Sequence, residues 1–144
     1  MQNLDTAALA RNLAKTAIEK LATDVRLVDL REIVSYTDFF VVCTGSNSRQ
    51  TKAISDHVID RMRELGYHKP RRRESDVDGN WLLLDYVDVV LHVFTPDARE
   101  FYRLESLWGQ VPQETIVDDG SSAEAPGSNG AGDAAADTTR AAQA

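Results

Sequence analysis

Two unbroken apolar runs, Leu82-Leu83-Leu84 and Val89-Val90-Leu91, lie only four residues apart. Such runs suit strands covered on both faces, because a half-wet strand alternates apolar with polar positions. A parallel crossover needs a dozen or more residues, so the link through Tyr86 and Asp88 permits only a tight turn and an antiparallel hairpin. The predicted strands cover residues 81–86 and 88–94. Trp81, Asp85, Tyr86, Asp88 and His92 flank or interrupt the runs, which puts polar chemistry at the strand edges. Six of the ten aromatic residues fall between Asp78 and Trp108.

Around this hairpin the pattern supplies helices and further strands. Leu9, Leu13, Ala17 and Leu21 recur every fourth residue with Ala10 and Ala14 beside them. This predicts an amphipathic helix ending near Ala22, with Thr6 or Asp5 to cap its first amides. Residues 25–30 have strand propensity, and Arg26 and Asp29 suit a solvated face or an exposed edge. Residues 38–43, Asp-Phe-Phe-Val-Val-Cys, read as a central strand that ends at Thr44-Gly45-Ser46-Asn47-Ser48. Asn47 or Ser48 can cap a helix striped by Ile54, Val58, Met62 and Leu65, and Gly66 suits its left-handed C-terminal residue. Strand, turn and helix in that order make the first half of a parallel crossover unit. Residues 67–80 are polar and predict a loop or short edge strand. After the hairpin, Thr95 caps a last helix with Pro96 at its first position, and Phe101, Leu104 and Trp108 share a buried face that excludes Tyr102. The expected fold is α/β, a single compact domain whose mixed, mostly buried sheet is flanked by helices.

The 144 residues, 42% hydrophobic and 27% charged, suffice for one core. From Gln113 the composition turns to Ala, Gly, Ser, Asp and Thr, with Ile116-Val117 the only large apolar pair. Such a segment cannot bury enough surface to offset an ordering entropy of about 1–2 kcal/mol per residue. The expected division is a domain over residues 1–112 and a disordered acidic tail over 113–144. The tail contributes −5 of the net −7, leaving a nearly neutral domain with 15 basic and 17 acidic residues. Bulk charge therefore does not argue for DNA or RNA binding. A single cysteine, no apolar leader in the first 22 residues and no run of about 18 apolar residues point to a cytoplasmic protein without a membrane span.

Enzyme signatures are weak. Gly45-Ser46 after a strand could open a phosphate-binding turn, but no G-x-G-x-x-G or Walker lysine pattern accompanies it. Nucleotidyl transfer needs two carboxylates two apart on a strand; Asp56 and Asp60 fall on a helix, and Asp85 and Asp88 straddle a turn. Cys43 and His92 could form a thiol–imidazole couple if their strands are neighbours, although a lone cysteine in an apolar strand normally fills space. His57, His68 and His92 lack metal-ligand spacing, so no metal is expected. Arg71-Arg72-Arg73 could meet RNA phosphate, but Glu74, Asp76 and Asp78 follow at once. Aromatic residues that cannot all point inwards, Tyr102 among them, favour a binding module.

Three segments resemble the ribosomal silencing factor family, also called Iojap-like proteins. They are Thr37-Asp38-Phe39-Phe40-Val41-Val42-Cys43-Thr44-Gly45-Ser46-Asn47-Ser48-Arg49-Gln50, the whole hairpin from Trp81 to Phe94, and Arg99-Glu100-Phe101-Tyr102-Arg103-Leu104-Glu105-Ser106-Leu107-Trp108. The likeness covers about residues 5–110. It implies a nucleotidyltransferase-like topology without that enzyme's active site, and no cofactor. It further implies binding to the large ribosomal subunit through large-subunit protein fourteen, steric block of subunit association, and repression of translation under nutrient limitation. Members are often homodimers when free, and incidental contact with ribosomal RNA is compatible with this role.

Carried over by motif, Trp81, Asp85, Asp88 and His92 around the hairpin, with Arg99, Tyr102 and Glu105 on the last helix, are the candidate partner-binding residues or their support. Alanine at Tyr102 or Arg99 is expected to weaken binding without unfolding the domain. The alternative is a nucleotide-binding or nucleotidyltransferase-like enzyme using the Gly45-Ser46 turn. Many family members have Gly where this chain has Val87. If that Gly uses a positive φ, the β-branched Val87 is strained and the turn is in question.

Overall fold

A computed structural model describes residues 2–104 and 111–118, with side chains from Thr6 onward. The elements run α1 (Gln2–Glu19), β1 (Thr23–Asp29), β2 (Phe39–Thr44), α2 (Ser48–Glu64), β3 (Arg72–Ser75), β4 (Trp81–Asp85), β5 (Val89–Phe94), α3 (Pro96–Tyr102) and β6 (Gln113–Ile116). The fold is mixed α/β, as the sequence predicts. Its single six-stranded sheet has the order β3-β4-β5-β2-β1-β6. The apolar runs lie where burial is greatest: β5 is buried at every position and β2 at all but Thr44. These two strands form the parallel pair, completing the crossover that starts with β2 and α2. Every other pairing is antiparallel, including the predicted β4–β5 hairpin, with Leu83 opposite His92 and Trp81 opposite Phe94.

Period-two alternation sends each strand's side chains to two unequal layers. On one face, Leu13, Ala17, Ile54, Val58 and Met62 of α1 and α2 pack on Leu27, Val41, Leu84 and Leu91. On the other, Val28, Leu30, Phe40, Val42, Val90 and Phe94 make a smaller core, with Trp81, Leu83, Ala98 and Leu104 only partly covered. The seven-residue α3 lies on this second face, against β5.

Helix ends follow backbone chemistry. The Asn47 side chain accepts from the Gln50 amide and caps α2, which ends in a left-handed Gly66 at φ 97° with Tyr67 N–H reaching back to Met62 O at 3.0 Å. α1 closes the same way, Ala22 N–H to Ala17 O at 3.1 Å, but with the exposed Leu21 in the left-handed position at φ 67°.

Four expectations change. α1 begins at Gln2, upstream of the caps assigned to Asp5 and Thr6. α3 stops at Tyr102 because Arg103 turns left-handed at φ 48°, so Phe101 is 79% exposed instead of core; Trp108 lies outside the described residues. The boundary drawn at 112 falls inside the fold: residues 113–116 form β6 against β1, and Arg11 of α1 clasps Glu114 through two bonds of 2.9 and 2.7 Å. β1 is consequently an inner strand, whose bare edge β6 takes up. The expected disorder of the rest of the tail, residues 119–144, concerns positions outside the described ones.

Candidate functional site

Trp81, Leu83 and Asp85 alternate on the second face of β4, opposite Phe94, His92 and Val90 of β5. That register builds one continuous aromatic layer. The Trp81 ring stacks on Phe94 at 5.4 Å between centroids and 22° between planes, and lies 6.0 Å from His92 at 28°. Tyr102 descends from α3 onto Trp81 at 4.7 Å and onto Phe94 at 5.9 Å. Phe101 meets the Tyr102 ring edge-on at 5.0 Å. Tyr102 is 40% exposed. The outer part of the layer is therefore an apolar surface facing solvent, with a rigid aromatic backing.

His92 belongs to that backing. It is only 4% exposed, and burial pushes its pKa down to about 3, so the imidazole is neutral. The Trp81 indole N–H, a donor only, gives its hydrogen to Nδ1 at 3.2 Å, which leaves the ring proton on Nε2. Nε2 has no hydrogen-bond partner among the described residues. His92 thus fixes the rotation of Trp81 from below.

Asp85 is 2% exposed and fastens the hairpin. One carboxylate oxygen accepts from Arg71 at 2.8 Å and Arg72 at 3.3 Å, and the other from the Val87 amide at 2.8 Å. Burial alone would raise its pKa, but the bonds from Arg71, Val87 and Arg72 outweigh this and lower it. The held amide belongs to a strained residue: Val87 has φ 77°, and Asp88 N–H bonds to Tyr86 O at 3.0 Å across it, a γ-turn of the positive-φ kind. Val87 and Asp88 are both exposed at this tip. The positive φ suspected from the missing Gly is thus present.

Arg99, 8% exposed, is a clamp. Its guanidinium donates to Asp24 O at 2.7 Å and Thr44 Oγ1 at 2.8 Å and pairs with the Asp24 carboxylate at 3.3 Å. It ties α3 to the start of β1 and the end of β2. The expectation that Arg99→Ala would spare the fold does not survive this burial. Of the seven candidates, Trp81, Asp88 and Tyr102 reach the surface, Asp85, His92 and Arg99 lie beneath it, and Glu105 falls outside the described residues. Leu83 escaped the motif reading, although its alternation with Trp81 and Asp85 signals the shared face.

The thiol–imidazole couple fails on parity. Cys43 sits opposite Val93 and His92 opposite Val42, so the two side chains project from opposite faces of the sheet. Burial, partly countered by Arg99, raises the Cys43 pKa to about 12 and keeps the thiol protonated. At the Gly45-Ser46 turn the donors are already used. Gly45 N–H bonds to Phe94 O at 2.8 Å, and Gln50 Oε1 accepts from the Ser46 amide at 2.7 Å and its hydroxyl at 2.6 Å. A Cβ on Gly45 would come 3.2 Å from Thr51, which accounts for the glycine by packing. Among the described residues, no group of three or more His, Cys, Asp or Glu is placed to hold a metal ion, and no helix is long and apolar enough to cross a membrane.

The family model described as "Ribosomal silencing factor during starvation" matches residues 3–144. The chain belongs to the ribosomal silencing factor family. It is 32% identical over 109 residues to the ribosomal silencing factor of Bacillus subtilis, covering 76% of this chain and 92% of that protein. It is 28% identical over 112 residues to mouse "Mitochondrial assembly of ribosomal large subunit protein 1", covering 68% and 48%. The crystal structure of a Chromobacterium violaceum protein superposes with a TM-score of 0.69 at 27% identity, over 81% of this chain and 96% of that one. The family match runs past residue 110, where the motif likeness stops. In this ribosomal silencing factor family member, the described part of that extension is residues 111–118, which contain β6.

Proposed function

We propose that this chain is a non-catalytic anti-association factor that needs no cofactor. It binds the large ribosomal subunit through large-subunit protein fourteen, sterically blocks joining of the small subunit and represses cytoplasmic translation under nutrient limitation, as in stationary phase. Free, it is a homodimer. The aromatic layer of Trp81, Tyr102 and Phe101, backed by the buried Phe94 and open to solvent on the sheet face away from α1 and α2, carries this reading, because partly exposed aromatics on a rigid support are typical interface anchors. The mouse relative is named for assembly of the ribosomal large subunit, which supports the choice of subunit. Trp81, Tyr102, Asp88 and Glu105 are the contact residues, and Asp85, His92 and Arg99 support this surface. Arg71 and Arg72 are engaged by Asp85 and Arg73 by Asp56 at 2.6 Å, so ribosomal RNA contact is incidental.

Silencing then works by mass action: an occupied large subunit leaves the pool able to join. A dissociation constant near ~100 nM corresponds to about −9.5 kcal/mol, within reach of a standard-size interface with a few hot spots. Sucrose-gradient sedimentation with isolated large subunits, small subunits and joined ribosomes tests it. Retention on large subunits and fewer joined ribosomes are expected, and Tyr102→Ala weakens both. Protein left at the top of the gradient with joining unaffected would overturn the reading.

A further inference from the structure

Beside the aromatic layer lies a cleft lined by Glu74, Ser75, Asp76, Trp81, Leu83 and Tyr102, with a volume of about 220 Å³. That is below the range of sites for cofactors and drug-sized ligands and suits a single long side chain. We propose that this cleft receives one arginine side chain of the partner protein. The inference rests on the proposed function for the partner and on the cleft alone for the side chain.

Three observations select arginine. The first is the wall: Trp81 and Tyr102 are tilted 46° to each other, so they make a corner in which a flat group stacks on one ring and meets the second at its edge. Trp81 cannot swing away, being backed by Phe94 and bonded to His92. The second is charge. Asp76 is fixed at the rim because one of its oxygens accepts from the Asn80 amide at 2.7 Å and the Trp81 amide at 3.4 Å. Its other oxygen has no hydrogen-bond partner among the described residues. Glu74 stands on the adjoining strand, paired at 2.9 Å with Arg72 in a half-exposed bridge that exchanges readily. The third is the cations already there. Arg72 also reaches Asp85 at 3.3 Å, and Arg71 is bonded to Asp85 at 2.8 Å, so both are engaged by other carboxylates and neither pairs with Asp76.

An aromatic corner with an unopposed carboxylate is the chemistry of a guanidinium site: ring stacking, charge and in-plane hydrogen bonds act together. A lysine ammonium satisfies the charge but not the stacking. A nucleic-acid phosphate is repelled by both carboxylates.

Nuclear magnetic resonance of the full chain reads the site directly through the Trp81 indole N–H, assigned with a Trp108→Phe variant. Titration with Nα-acetyl-arginine-amide is expected to shift this signal saturably in the millimolar range, the lysine analogue less, and the norleucine analogue not at all. Glu74→Gln with Asp76→Asn, which keeps the Asp76 acceptor oxygen, should weaken the arginine shift about five-fold or more. On large subunits the double variant should bind about ten-fold more weakly at an unchanged thermal midpoint. A norleucine shift as large as that of arginine, or undiminished binding by the double variant to either arginine or subunits, overturns the proposal. If the wild-type chain ignores large subunits but retains the arginine shift, the proposed function falls while the arginine cleft stands. If it binds subunits and the double variant binds equally, the cleft falls and the function stands. A Trp81 shift that appears with protein concentration alone would make the occupant a second copy and overturn the partner-protein source.

Discussion

Val87 sits at φ 77° with a β-branched side chain, a conformation that costs on the order of 1–3 kcal/mol and persists only when its surroundings hold it. Here the holding groups are the Asp85 carboxylate on the Val87 amide and the Asp38 and Phe39 amides on the Asp88 carbonyl. Val87→Gly relieves the strain without removing any of these bonds. It should raise stability by about 1 kcal/mol, read as a higher denaturant midpoint at unchanged slope. A lower midpoint would mean that the exposed isopropyl group packs better than its backbone suggests. His92 sets a different dependence, on pH. Neutral in the fold with a pKa near 3 and ordinary near 6.5 once unfolded, it takes up a proton on unfolding anywhere between those values. Its contribution is therefore complete above about pH 6.5 and falls as pH drops toward 3, by at most about 1.4 kcal/mol per unit. In His92→Asn, whose amide oxygen can still accept from Trp81, the loss of stability between pH 7 and pH 5 should be smaller than in wild type. Equal losses would sink this account.

At the scale of elements, α3 is too short to hold itself on the sheet by propensity, since isolated helices under about 12 residues are marginal in water. Arg99 anchors it instead, through Asp24 and Thr44. Arg99→Ala removes a buried side chain and leaves these part-buried acceptors without their donor, which should cost about 2–4 kcal/mol of stability, whereas Tyr102→Ala, at a half-exposed position, should cost under about 2. Thermal midpoints of the two variants check the order, and the reverse order would return Arg99 to the contact surface. The sequence reveals the elements whose chemistry is local. The hairpin follows from two apolar runs and a short link, and α2 from Asn47, its stripe and Gly66. It hides what is decided from a distance. Nothing near Arg99 announces that Asp24, 75 positions away, will receive its guanidinium, and the burial of His92 needs Phe40 from β2 as well as Trp81. β6 is hidden for the same reason. Gln-Glu-Thr-Ile is a poor strand by composition, and it becomes one because β1 offers an open edge and Arg11 a partner for Glu114.

Across the whole molecule, the sheet needs both of its edges protected. β3 guards one with Arg72, Arg73, Glu74 and Ser75, all exposed, and β6 covers the other. A chain stopped after Pro112 would present the unpaired edge of β1 and strand Arg11. It should melt about 5 °C or more lower than the full chain and aggregate with rising concentration, while a chain stopped after Asp118 should match the full chain. Identical melting of the two shortened chains would make β6 dispensable. The same strand order determines where a handle can be attached. β6 lies four strand spacings from β4, roughly 19 Å, so the cleft beside Trp81 and the end of β6 stand at opposite sides of the sheet. A fluorophore or capture tag joined after Asp118 would leave the aromatic surface clear, and one placed in the loop between β3 and β4 would sit on its rim.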